Sequence, residues 1–272
     1  DEAIMYTMDK LRTTAAQKQD TNLNVRLESL NHVQQRFVPA DLVREYFAAT
    51  FPSFDAFWLF RRQFTYQLAA LTYITFTMHM TQRYPSKMSI ARKTGNIWGS
   101  ELLPLLAQNR PHFQNPEAVP FRLTPNLQRL MSPIHQEGIF TCALMAISRC
   151  LTTDSTTPSP PTPPPGTGAP AAEPPAPALA TSTDLSHTLS IFIRDEMTFW
   201  YTQSHRQSLQ QNELRENVQK NSEAIVNKAL ALAREPVGAT NLPACQTVLE
   251  VVAKATNPEK LAQMDLLFQG WL

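Results

Sequence analysis

Apolar positions at Phe57, Phe60, Phe64, Leu68, Leu71 and Thr75 step by three or four, and that spacing predicts one long helix from Phe54 to about Met80. Its second half is apolar nearly all round, as befits a central core helix. Pro52-Ser53 before it ends one element and caps the next. Upstream, Asp1 to Pro39 is polar and lightly amphipathic, marked by Leu23, Val25, Leu27, Leu30 and Val33. It reads as helix and loop leaning on a surface outside the chain. Pro39-Ala-Asp41 then opens a short helix with Leu42, Val43, Tyr46 and Phe47 on its apolar side. Downstream, Met88-Ser-Ile90 and Asn96-Ile-Trp98 bracket RKTG, so Gly95 predicts the turn of a small hairpin.

Leu102 to Leu106 is a short apolar run, followed by a Pro-rich loop through Pro111 and Pro116. VPFRLTPNLQRLM starts a new helix, with Thr124 as cap and Pro125 in the first helical position. Ile139 to Leu151 is another apolar helix. A stripe of Leu185, Leu189, Phe192, Ile193, Met197 and Trp200 follows the cap residue Asp184. A long helix covers Arg206 to Arg234 and breaks at Pro236-Val-Gly238. Pro243 to Ala255 is a further helix, and Asn257-Pro258 caps the last one, which ends in Gly270-Trp271-Leu272. Thr152 to Ser182 differs in kind. Ten of the 22 prolines fall between Pro158 and Pro177, mixed with Ala, Ser, Thr and Gly, so this stretch reads as a disordered or polyproline-like insert. PPTPPP offers an SH3 or WW ligand, but spacer is the commoner use.

Composition narrows the function classes. A length of 272 residues allows one or two domains, and the first residue, Asp1, suggests a piece of a longer protein. A net charge of +1 gives no reason to invoke nucleic acid or anionic lipid. Cys142, Cys150 and Cys245 form no paired framework and read as buried thiols in a reducing compartment. Phe64 to Met80 has 17 residues and contains Gln67, His79 and four threonines, which suits a buried helix better than a membrane span. His32, His79, His112, His135, His187 and His205 show no metal-ligand spacing, and no nucleophile elbow is present.

Four landmarks then resemble the phosphatidylinositol-3-kinase-related kinases, in the same order over most of the chain. That family carries D-R-H-x-x-N in its catalytic loop, a hairpin with a Gly turn, D-F-G, a P-F-R-L-T helix start and a terminal FATC segment. TQRYPSK fills the catalytic-loop slot, the hairpin around RKTGNI follows, VPFRLTPN fills the P-F-R-L-T slot, and VLEVVAKATNPEKLAQMDLLFQGWL is similar to the FATC segment. The resemblance implies a mainly α fold: the C-terminal lobe of a protein-kinase-like domain with a small β-hairpin, followed by FATC helices. It divides the chain into a helical lead-in (1–53), a lobe core (54–151), the Pro-rich insert (152–182), further lobe helices (183–236) and the FATC segment (240–272).

Set on that pattern, the residues that carry the chemistry are replaced. Gln82 stands at the loop Asp, Tyr84 at the His and Lys87 at the metal-binding Asn, while Glu101-Leu102-Leu103 falls near D-F-G. An amide accepts no proton, and an ammonium repels the divalent ion that an Asn carbonyl would ligate. The resemblance therefore implies a pseudokinase with no cofactor, like the TRRAP-type branch of the family. That branch supplies activator-binding scaffolds of SAGA-class and other histone acetyltransferase complexes. The implied setting is nuclear. The implied partners are the complex's other subunits, transcription activators reached through the parent protein, and the rest of a helical-repeat chain. Arg61 and Arg62 in FRRQF, Arg122, Trp271 and Leu272 are candidate structural or interaction residues, and packing inside the lobe is the plainer role for the first two and for Trp271. Two rivals stand beside this. One is a rewired active kinase in which Glu101 binds metal and Lys87 touches phosphate. The other is a membrane or phosphoinositide module using DLLFQGWL, though no polybasic cluster flanks it.

Overall fold

The computed structural model describes residues 2–16, 23–107, 110–113, 117–131, 136–152, 182–204, 211–234 and 244–272. Ten α-helices appear among them: α1 (Glu2–Ala16), α2 (Leu23–Arg36), α3 (Leu42–Ala48), α4 (Phe54–Thr77), α5 (Pro125–Met131), α6 (Ile139–Thr152), α7 (Ser182–Ser204), α8 (Gln211–Arg234), α9 (Ala244–Thr256) and α10 (Pro258–Gln263). Two small antiparallel hairpins pair β1 (Met88–Ile90) with β2 (Ile97–Gly99) and β3 (Leu106–Ala107) with β4 (Arg110–Pro111). The mainly helical architecture with a hairpin after the long helix matches the fold expected from the sequence. The second hairpin was not expected. Its strands are two residues long, too short to show alternation. The Pro-rich stretch lies outside the described residues.

The long helix α4 is the axis of the lobe. Ser53 is extended and its hydroxyl accepts the amide of Ala56 at 3.3 Å, and Asp55 in the first turn complements the helix dipole. Phe60, Phe64, Leu68, Ala69 and Tyr73 are buried against α5 and α6, in a cluster that α9 joins from the other side of α6. Threonine suits this apolar helix because its hydroxyl returns to its own backbone. Thr65 donates to Arg61 O at 2.7 Å, Thr75 to Leu71 O at 2.7 Å and Thr77 to Tyr73 O at 3.0 Å. Among the described residues no helix is long and apolar enough to cross a membrane.

The first hairpin is pinned to α4 through Gly95. Its φ is +78°, and a Cβ there would lie 2.5 Å from the carbonyl oxygen of Phe60. Only glycine lets the turn approach the helix this closely. The β1–β2 register places Met88 opposite Gly99, which brings residue 87 beside residues 100 and 101. A second cluster joins Met78 and Met80, at the end of α4, to Ile193, Met197 and Tyr201 of α7 and Val218 and Ile225 of α8.

A third cluster ties the lead-in to the end of the chain. The lead-in packs at least one face within the chain: Ala3, Leu30 and Val33 of α1 and α2 pack with Val119, Leu261, Met264, Phe268 and Trp271, while Met5 and Met8 of α1 stay exposed. Helix α10 starts at the expected cap, with Asn257 Oδ1 accepting the amides of Glu259 and Lys260 at 2.8 and 3.3 Å. Cys142 is exposed, not buried. It lies two residues from both Phe140 and Leu144, the buried face of α6, and so points some 200° away from them. The side chains of Cys150 and Cys245 lie outside the described residues.

Candidate functional site

The segment between α4 and β1 carries Gln82, Tyr84 and Lys87, the residues the sequence sets in the catalytic-loop pattern. The chain leaves α4 through His79, at φ +51°, and turns again at Gln82, at φ +55°. Left-handed backbone is uncommon for residues with a Cβ, so two such positions within four residues mark a loop fixed by its surroundings. The Gln82 side chain is exposed, and its backbone amide donates to Glu117 Oε1 at 2.7 Å. Burial pushes the Glu117 carboxyl up from its ordinary range, against the pull of that amide and of the Arg83 charge.

Arg83 staples this loop to the segment after β2. Its guanidinium donates to the carbonyls of Thr81 at 3.1 Å, Ser100 at 3.0 Å and Glu101 at 3.1 Å. Burial lowers its pKa, and the charges of Glu101 and Glu117 oppose that. Tyr84 reaches the other way: its hydroxyl donates to Asp265 Oδ2 at 3.3 Å, just before the terminal 3-10 turn at Leu266–Phe268. Burial first, then the Asp265 charge, raises the phenol's pKa.

Lys87 ends the 3-10 turn Pro85–Lys87. Its carbonyl accepts the amide of Ser100 at 3.0 Å, and its ammonium lies 2.6 Å from Glu101 Oε2 and 5.5 Å from the centre of the Tyr84 ring. Glu101 is itself at φ +54°, held there by the Arg83 and Ser100 contacts. The Glu101 carboxylate is thus neutralised by the Lys87 ammonium. A divalent ion needs several oxygen donors converging on one point. Here an ammonium sits 2.6 Å from one oxygen of the Glu101 carboxylate, so the residues present do not fit such an ion. No cluster of His, Cys, Asp or Glu able to hold a metal occurs among the described residues.

Gln82, Arg83, Lys87 and Glu101 line one wall of an open cleft of about 430 Å³. The opposite wall is Glu196, Phe199, Trp200 and Gln203 of α7. Phe199 is exposed, and Leu103 and Leu105 also line the cleft.

The remaining sequence candidates separate by position. Arg61 is buried under α5, donating from Nε to Leu130 O at 2.8 Å and from Nη2 to Arg129 O at 3.2 Å, so it satisfies the carbonyls at that helix end. Arg62, the next residue along α4, is exposed. Arg122 is buried at 6 % exposure, donates to the carbonyls of Phe268 and Gln269, and stacks 4.9 Å from the Phe268 ring. Burial without a carboxylate partner pushes its pKa down to about 9. Trp271 is buried in the third cluster. Its carbonyl accepts from Asn126 Nδ2 at 2.8 Å, and that of Leu272 accepts from the Thr124 hydroxyl at 2.7 Å. Sequence reasoning treated Thr124 only as a cap, and gave no role to Arg83, Glu117, Asn126 or Asp265. Arg83 alone carried a signal, as the R of the D-R-H pattern; the others act on residues far away in the chain.

Comparison with known proteins places this geometry. The family model described as phosphatidylinositol 3- and 4-kinase matches residues 2–157. The chain is 31% identical over 264 residues to the "SAGA complex/NuA4 acetyltransferase complex subunit TRA1" of Saccharomyces cerevisiae, with 91% of this chain and 6% of that protein covered. It is 25% identical over 291 residues to the "Transformation/transcription domain-associated protein" of Homo sapiens, covering 100% of this chain and 6% of that protein. The chain thus spans a small fraction of the length of the curated relatives it matches. Among solved structures, the "FAT and kinase domain of CtTel1" superposes with a TM-score of 0.53 at 18% identity, over 97% of this chain and 15% of that one. That likeness is one of fold.

Proposed function

The chain belongs to the phosphatidylinositol 3- and 4-kinase family, and from that premise we propose that it is a kinase-like lobe retained for its architecture rather than for phosphoryl transfer. The single observation that carries this reading is the Lys87 ammonium 2.6 Å from Glu101 Oε2. Phosphoryl transfer requires a group to orient the attacking hydroxyl and oxygen ligands to hold magnesium on the phosphates. Gln82 supplies no base, and its backbone is tied to Glu117. Tyr84, in the His slot, is committed to Asp265. Loss of a general base alone costs about 10²–10⁴ in rate, and the metal's electrostatic contribution is lost with it.

In this reading the chain is the C-terminal part of a large transcription co-activator subunit. It works in the nucleus within a histone acetyltransferase complex of the kind named for its yeast relative. Residues 240–272 form the FATC segment, clamped by Arg122, Thr124 and Asn126, while Arg62 and the exposed aromatic residues of α4 face neighbouring subunits. Buried Trp271 supports a packing role for that segment over insertion in a membrane. The test is labelled-phosphate transfer by the intact parent protein, purified with its complex. No transfer above background is expected, from the wild type or from Gln82→Ala and Lys87→Ala. Transfer by the wild type that either substitution abolishes would overturn the reading.

A further inference from the structure

We propose that Lys87 is a resident cation: its ammonium does for the cleft the structural work that a divalent ion does in a nucleotide-loaded kinase, joining the catalytic-loop segment to the segment after β2. The inference rests on the non-catalytic reading above and deepens it, by saying what, beside the Arg83 staple, holds the cleft in one shape when no metal is bound. Three observations converge on residue 87. Its carbonyl accepts the Ser100 amide at 3.0 Å, its ammonium meets Glu101 Oε2 at 2.6 Å, and the same ammonium faces the Tyr84 ring. Its side chain is only 16% exposed, so the charge is partly withdrawn from water and needs a counter-charge. Glu101 supplies it from a left-handed backbone position that points the carboxylate back at the loop.

Like a metal, the ammonium has no preferred partner beyond oxygen and presents its charge as a compact point. Unlike a metal, it is covalently attached and cannot leave with a nucleotide. The cleft therefore keeps its shape whatever the ATP or magnesium concentration, as a scaffold requires. The corollary is a latent metal site: an amide oxygen at position 87 beside the Glu101 carboxylate restores two hard oxygen donors, enough with water to hold Mg²⁺ or Mn²⁺ weakly.

Hydrogen exchange on the intact parent protein, read on peptides covering residues 81–103, tests this with millimolar MnCl₂ as probe. Wild-type exchange is expected to be the same with and without MnCl₂. Lys87→Asn and Lys87→Met both speed exchange about fivefold, the scale of a partly buried ion pair. MnCl₂ restores protection in Lys87→Asn only, and adding Glu101→Gln to that variant removes the rescue. Unchanged exchange in both single variants overturns the proposal, as does a Lys87→Asn variant blind to MnCl₂, or equal slowing of the wild type by MnCl₂. The two readings fail separately. Phosphoryl transfer by the wild type defeats the scaffold reading, whereas unaltered exchange in Lys87→Asn without any transfer defeats the resident cation alone.

Discussion

The clamp on the C-terminal segment and the loop beside the cleft are both held by polar side chains, yet they sit at opposite ends of a scale of burial. Arg122, Thr124 and Asn126 are at most 6 % exposed and bond to backbone carbonyls 145 to 148 residues away. In the loop, Glu101 is 67% exposed, and its partner is 14 residues back, across a hairpin. Buried donors aimed at carbonyls cannot be lost cheaply, because each carbonyl left behind has no water to turn to. An exposed carboxylate re-solvates at once. The difference teaches that the tail contacts determine whether the lobe folds, whereas the cleft contacts determine only which local shape it keeps.

The comparison breaks most visibly at Arg122. Arg122→Ala strands the carbonyls of Phe268 and Gln269 and empties a buried volume, so a loss of about 3–5 kcal/mol is expected. Global protection of residues 261–272 in hydrogen exchange would collapse. The same arginine has a pH signature. Its folded pKa of about 9 lies below the ordinary guanidinium value, so its contribution to stability falls as pH drops from the unfolded value through 9 and is flat near neutrality. Gly95→Ala is the next largest effect and sharpens the contrast, since here the cleft side does meet the core. A Cβ at 2.5 Å from the Phe60 carbonyl, on a residue at φ +78°, should cost about 2–3 kcal/mol and shift β1–β2 off α4, seen as faster exchange in residues 88–99.

Thr124→Val keeps the volume and removes one buried donor to Leu272, for about 1–2 kcal/mol of local stability in the last three residues. Glu117→Gln is the smallest. Burial raises the folded pKa of Glu117 above its unfolded value, so the contribution of its bound proton is fully present below 4.5 and is lost as pH rises through the folded value. The glutamine keeps an acceptor for the Gln82 amide and has no proton to lose. Its stability relative to wild type should therefore increase from pH 4.5 toward neutrality and then level off, as measured by thermal unfolding at a series of pH values.

Much of this was legible in the sequence, and for identifiable reasons. Periodic apolar residues gave α4, and Gly95 between two short apolar pieces gave the first hairpin, because both signals are local. The loop pattern also set Gln82, Tyr84 and Lys87 together, and the structure places all three on the segment after α4. The pairing of Lys87 with Glu101 could not be read from that pattern, although the hairpin register that creates it was within reach once Gly95 was placed at the turn. The clamp was invisible because donors and acceptors lie more than 140 residues apart, and no local spacing encodes such a contact. The packing of α1 and α2 on the tail was missed for the same reason. Cys142 was misplaced because burial was inferred from residue type and not from the face of α6.

The claim that the cleft is closed to metal by its own lysine is tested most directly by calorimetric titration of ATP into the intact parent protein, with and without MgCl₂. No magnesium-dependent binding is the expected result, in the wild type and in Glu101→Gln alike. Tight nucleotide binding that requires magnesium and disappears in Glu101→Gln would show Glu101 serving a metal rather than Lys87, and would contradict the account.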